Sequence, residues 1–123
     1  TTTRPYRVKG TKMDLYNKTV AYFQAFSEGD LDALGELYAN NIYLRDWEGT
    51  YVGATVVLNA NKQLFDNVDA LAVRIIALHC DEDARTIAAE IEIMIPESDP
   101  LLVVDIIEFN SEGLISSIRA YKG

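Results

Sequence analysis

The sequence predicts an α+β domain in which helices cover one face of a curved, mostly antiparallel sheet. Up to Val68, apolar residues recur mainly at helical spacing, interrupted by one short strand. Beyond it the chain becomes a series of long apolar runs broken by compact polar turns, the pattern of an antiparallel meander. The last of these strand pairs holds an anomaly. Residues 101–109, LLVVDIIEF, read as one buried strand with Asp105 at its centre. An unpartnered ionised carboxylate is too costly to bury there, so the group must take a proton or find a partner.

Each element has its own signals. Residues 1–10 carry Arg4, Arg7 and Lys9 without periodicity and are expected to form a flexible N-terminal arm; residues 11–123 form the single domain. The first helix spans residues 11–28, with Leu15, Thr19, Tyr22, Phe23 and Phe26 on one face and Asp14, Asn17, Lys18 and Glu28 on the other. Thr11 and Asp14 make a capping start and Gly29 a C-terminal stop. Asp30 caps a short second helix over residues 31–38. Asn40-Asn41 reads as a turn. Residues 42–47 then form a strand with Ile42, Leu44 and Asp46 facing one way and Tyr43, Arg45 and Trp47 the other. Its apolar face therefore delivers a carboxylate at its end. Glu48, Gly49 and Gly53 mark a loop, and a third helix covers residues 54–68 with a stripe of Val57, Ala60, Leu64, Phe65 and Val68. Strands follow at 71–80, 85–95, 101–109 and 114–121, with turns at Asp81-Glu82-Asp83, 96–100 and 110–113. Helices packed on such a sheet leave an apolar pocket between the layers. The late strands have few clearly polar faces, so a homodimer through the sheet is expected.

The 123 residues fit one domain with one core. A net charge of −8 argues against a nucleic-acid or anionic-membrane surface. Cys80 is the only cysteine, which forbids an internal disulfide and suits a reducing compartment; with no apolar stretch of membrane-span length and no leader-like segment, a cytoplasmic location is expected. One histidine and one cysteine do not make a zinc site, the 81–83 acids lack calcium-loop spacing, and no phosphate-binding glycine loop occurs, so neither metal nor cofactor is expected. His79 reads as a sheet-face residue, and Glu90 and Glu92, alternating with Ile91 and Ile93, as solvent- or interface-facing.

Three stretches carry a family resemblance: FSEGDLDALGELYANN (26–41), LRDWEGTYVG (44–53) and VDIIEFNSEGLISSIRAY (104–121). With the element order, they make residues 15–121 resemble the NTF2-like superfamily, which includes SnoaL-like proteins and ketosteroid isomerase. The resemblance implies a cone of three N-terminal helices on the curved sheet. It places Tyr22 at the family's catalytic tyrosine, Asp46 at its base and Asp105 at its protonated acid. Tyr38 matches a partner tyrosine. The tyrosine expected on the third helix is missing, the stretch reading Asn59-Ala60-Asn61; Trp47 replaces a proline that often follows the base, and Lys122 an aromatic residue.

The implied reaction shifts a double bond in an apolar ketone through a dienolate, without a cofactor. Asp46 would carry the proton from the α- to the γ-carbon, while Tyr22 and neutral Asp105 hold the developing oxyanion. Tyr38, Trp47, Phe26, Val103 and Ile107 would line the pocket around a small apolar molecule. Other readings stay open. One is a SnoaL-like cyclase, dehydratase or epoxide hydrolase, the last needing Arg74 or Arg119 in the pocket. Another is a non-catalytic ligand-binding or dimerisation module that keeps the same pocket polarity. For the three central residues the competing roles are structural: a hydrogen-bonded core aspartate at Asp105, a loop-capping carboxylate at Asp46 and a core aromatic at Tyr22.

Overall fold

The structure, a computed structural model, describes residues 11–123; the expected N-terminal arm lies outside them. Three helices and six strands follow in the order α1 (Lys12–Glu28), α2 (Leu31–Leu37), β1 (Tyr38–Arg45), β2 (Thr50–Val52), α3 (Ala54–Asn67), β3 (Ala72–Asp81), β4 (Thr86–Met94), β5 (Leu101–Phe109) and β6 (Ile115–Lys122) among the described residues. The strands form one open curved sheet ordered β2-β1-β6-β5-β4-β3. All neighbours are antiparallel except β1 and β6. The third helix thus follows two strands rather than completing an N-terminal helical block.

α1 starts where Thr11 Oγ1 accepts the Asp14 amide at 3.2 Å, and it stops at Gly29, whose φ of +66° suits glycine. Leu15, Thr19, Tyr22 and Phe23 are buried as their spacing predicts. Asp14, expected on the open face, is also buried, with Lys18 Nζ 3.7 Å from its carboxylate. A carboxylate in the first turn sits at the positive end of the helix dipole, and the neighbouring ammonium group offsets part of its charge. Asp30 Oδ1 caps α2 by accepting the Ala33 amide.

Two local expectations fail between residues 38 and 53. Tyr38 leaves the helix and opens β1, so Asn40 and Asn41 lie within a strand. They occupy an irregular stretch between the Tyr38–Ile115 and Tyr43–Ser117 pairings, where the register to β6 shifts. Turn-forming residues at a register irregularity are consistent with a bulge. The loop before α3 contains β2, which pairs with β1 from Arg45–Thr50 to Tyr43–Val52. A three-residue edge strand is too short for its alternation to stand out.

The sheet has two distinct faces. Ile87, Ala89 and Ile91 on β4, Val103, Asp105, Ile107 and Phe109 on β5, and Ile115 and Ile118 on β6 are buried. α1 packs against β3 and α2, and α3 packs against β1 and α2. Ile118 joins the layers' core at 1% exposure, between Leu44 on β1 and Ile107 on β5. Truncating it leaves a cavity in an area that cannot relax freely. Ile118→Ala is expected to lower stability by about 3 kcal/mol, measured by urea unfolding, with Ile118→Val costing roughly 1 kcal/mol.

Candidate active site

Asp105 occupies the middle of β5, paired with Ala89 on β4 and Ala120 on β6. Its exposure is 6%. Two small methyl side chains therefore flank the carboxyl on the helix-facing side of the sheet. They provide no hydrogen bond and fill little space beside it. Among the described residues no side chain or amide hydrogen-bonds to this carboxyl. Burial, helped by the nearby Asp46 charge, pushes its pKa up to about 7. The neutral form is thus available near neutrality, as an O–H donor.

Tyr22 comes from the middle of α1. Its ring lies 5.0 Å from that of Phe23, 6.0 Å from Phe26 and 6.4 Å from Tyr38, centroid to centroid. The Tyr38 hydroxyl donates to Asn61 Oδ1 at 2.7 Å. Burial raises the pKa of both tyrosines, with the Asp105 charge adding to the effect. Both stay protonated; the Tyr38 proton is taken by Asn61, and the Tyr22 hydroxyl is the one left to donate to a developing oxyanion.

Asp46 follows β1 on the side that carries Ile42 and Leu44. Its Oδ1 accepts the backbone N–H groups of Glu48 at 2.7 Å and Gly49 at 3.1 Å, and its own N–H donates to the Gly49 carbonyl. The loop-capping role expected as an alternative is therefore present. It fixes one carboxylate oxygen and leaves Oδ2 outside that turn. The side chain is half-buried and close enough to Asp105 for its charge to raise that residue's pKa. The two carboxyls thus occupy contrasting settings, one in an apolar strand and one at a solvated turn.

Among the expected lining residues, Val103 and Ile107 are buried on β5 on either side of Asp105, and Phe26 stands edge-on to Phe65 at 5.2 Å. Trp47 lies at the rim with 41% of its surface exposed, its ring 5.3 Å beneath Lys122 Nζ. It does not fill the interior. The sequence reasoning missed Asn61. This residue is buried on α3, in the stretch where the resemblance lacks its tyrosine. A polar residue interrupting the stripe of Val57, Ala60 and Leu64 was the available signal.

A cavity of about 230 Å³ lies near the same end of the sheet as Asp46, lined by Asn67, Val68, Asp69, Ile95, Pro96 and Glu97. The other candidates lie across the sheet. Arg74 pairs with Glu92 at 3.0 Å, His79 with Glu90 at 2.7 Å and Arg119 with Glu108 at 2.6 Å. These strand positions alternate with the buried ones, so the groups lie on the face away from the helices. Neither arginine joins Asp46 and Asp105. Among the described residues, no cluster of three or more His, Cys, Asp or Glu side chains could hold a metal, and no helix is long and apolar enough to cross a membrane.

Comparison with known proteins agrees with this architecture. The sequence profile of the SnoaL-like domain matches residues 19–118. The chain belongs to this SnoaL-like family. No curated protein sequence matches it significantly. Solved structures similar to this SnoaL-like domain include a protein of unknown function with a cystatin-like fold from Methylobium petroleophilum PM1, at TM-score 0.83 and 18% identity over 92% of this chain and 78% of that one. A protein from Kribbella flavida DSM 17836, provisionally assigned as a ketosteroid isomerase, aligns at TM-score 0.78 and 16% identity over 90% and 78%. An M. tuberculosis LEH-like epoxide hydrolase aligns at 0.76 and 15% over 90% and 84%. At these identities the likeness is one of fold.

The raised Asp105 pKa has a consequence for stability. Between the ordinary aspartate value near 4 and about 7, the folded protein keeps a proton that the unfolded chain has lost. Folding takes up a proton across that window, so this contribution weakens as pH rises and is flat above it. Relative to Asp105→Asn, the wild type is expected to lose roughly 1.4 kcal/mol per pH unit between about pH 4 and pH 7. Urea unfolding of both proteins across that range measures the difference; parallel curves would contradict it.

Proposed function

We propose that this SnoaL-like domain is a cofactor-free acid–base isomerase of the ketosteroid isomerase type, shifting a double bond in a small apolar ketone through a dienolate. The supporting observation is the buried Asp105 carboxyl, held without a hydrogen-bond partner among the described residues beside the Tyr22–Tyr38 pair, with a second carboxyl at Asp46. A group so placed costs free energy unless a ligand completes its bonding.

In this reading Asp46 takes the α-proton of a β,γ-unsaturated ketone through its uncapped oxygen. The carbonyl oxygen gains negative charge as the dienolate forms. Neutral Asp105 and Tyr22 donate to that oxygen, and Asp46 then returns the proton to the γ-carbon. Phe26, Val103 and Ile107 exclude water, while Trp47 borders the entrance. Arg74 and Arg119, the two arginines weighed for the epoxide-hydrolase alternative, lie on the outer face, paired with glutamates.

Conversion of an unconjugated 3-ketosteroid to the conjugated enone, followed by absorbance, tests the reading. Asp46→Asn is expected to lower kcat by about 10² to 10⁴ and Asp105→Ala by about 10² to 10³. Absence of turnover in folded wild-type protein would move the site to a binding role. The pH–rate profile should fall above about pH 7, as Asp105 ionises and ceases to donate; a profile flat through pH 8 would remove Asp105 from the reaction.

The partner proposed for the outer sheet face is a second copy of the chain. Leu102 and Tyr121 are 53% and 48% exposed there, on the side shared by Val104 and Ile106. Glu90 and Glu92 on β4 and Arg119 on β6 flank β5, so a twofold axis along β5 would oppose acid to base. Val104→Arg should convert the dimer to monomer in sedimentation, whereas a wild type that sediments as a monomer would end this proposal.

A further inference from the structure

The rim of the site carries a cation that the reaction above does not use. β6 ends at Lys122, which pairs with Val103 on β5, just as Ala120 pairs with Asp105. Paired residues share a face, so Lys122 lies on the Asp105 side of the sheet, roughly 7 Å along the strand from Ala120. Its Nζ stands 5.3 Å from the centroid of the Trp47 ring. Strand alternation alone would send Trp47 to the outer face with Tyr43 and Arg45. Beyond the end of β1 it instead meets this lysine of the inner face. Lys122 is thus held at the rim by the residue that follows Asp46.

This lysine has no acid partner. Lys18, Lys62, Arg74 and Arg119 each have a carboxylate within ion-pair distance. Among the described residues Lys122 has none, although Asp46 and Glu48 flank Trp47 and the chain carries 19 acidic residues against 11 basic ones. The ring attracts the ammonium group by its negative face, and the N–H groups turned away from it stay open to an acceptor. A cation held in place but left without a counter-charge suits an anion that arrives with the ligand. Near Asp46 a ligand carboxylate would otherwise meet only repulsion. A ketone whose oxygen lies against Asp105 reaches Lys122 with a group several bonds from its carbonyl. We infer that Lys122, held on Trp47, binds a carboxylate at the end of the ligand remote from the ketone, so that the substrate class is an apolar unsaturated keto acid. The inference rests on the proposed placement of the ketone against Asp105 and Tyr22.

The test compares two ligands with one ring system, 3-oxoandrost-4-ene-17β-carboxylate and its methyl ester, which are conjugated enones like the product of the proposed reaction. Trp47 is the chain's only tryptophan, so its fluorescence follows binding at the rim without turnover. The readout is the ratio of the two affinities. Lys122→Gln is expected to lower the carboxylate-to-ester ratio about fivefold, the upper range for an exposed ion pair. Lys122→Glu should lower it further, while Lys122→Arg, which keeps both the charge and the contact with the ring, should hold it within about twofold of the wild type. A ratio unchanged in Lys122→Gln and Lys122→Glu would overturn the inference. Variants that slow turnover of the unconjugated 5-ene acid and ester by the same factor, at an unchanged ratio, would also overturn it, because Lys122 would then act through Asp46 and not on the ligand.

Turnover separates the two levels. If both 5-ene compounds isomerise and the ratio ignores Lys122, the isomerase reading stands and the carboxylate subsite falls. If neither isomerises and Lys122→Gln still lowers the ratio, the subsite stands in a ligand-binding protein and the isomerase reading falls.

Discussion

Keeping the Asp105 carboxyl inside an apolar strand is the constraint on which the rest of the site depends. β5 lies between β4 and β6, and Asp105 keeps only 6% of its surface exposed. The alanines opposite it are small enough to leave room and too apolar to help. Protonation is the remaining way to lower the cost without a ligand. Tyr22 from α1 and Tyr38 from β1 add polar groups to the same interior, and Asp46 adds a charge that makes the Asp105 proton harder to lose. The site is polar where the core should be driest.

The other face of the sheet shows what the same residue types do in water. Arg74, His79 and Arg119 each meet a glutamate there, at 3.0, 2.7 and 2.6 Å. Exposed pairs of this kind contribute little to stability, because solvent already satisfies both charges. Asp105 lies only one strand position from this solvated layer, since side chains alternate across the sheet. A one-residue slip of β5 would carry the carboxyl to the outer face and bring Val104, Ile106 and Glu108 inward together. The Asn110 side chain, which binds the amides of Glu112 and Leu114, helps hold the β5–β6 register against such a slip.

Much of this was legible in the sequence. An aspartate among Val103, Val104, Ile106 and Ile107 is conspicuous because a strand buries alternate residues, leaving Asp105 on the same side as Val103 and Ile107. Tyr22 was legible as part of a helical stripe, and Asp46 as the next residue on the face of Ile42 and Leu44. Asn61 was not, because one polar residue in a helix reads equally as a flaw in the stripe or as a buried partner; only Tyr38, distant in sequence, decides. Nor was the start of β1 at Tyr38. The helical pattern of α2 runs smoothly up to that residue, and the pull toward β6 comes from Ile115, far along the chain. β2 owes its existence to pairing with β1 rather than to any pattern of its own.

The parallel pairing of β1 with β6 joins segments from opposite ends of the described chain. When the protein is made from its N-terminus, α1, α2 and β1 emerge first, and β1 can pair at once only with β2. Asp46 then sits at the tip of a two-stranded ribbon, which has little stability alone. Asp105 arrives with β5 but is not enclosed until β6 inserts between β5 and β1. Contacts so distant in sequence form slowly. The nascent chain thus exposes the outward edges of β1 and β5 until the last strand closes the gap, and during that interval its greatest hazard is pairing with a neighbouring chain.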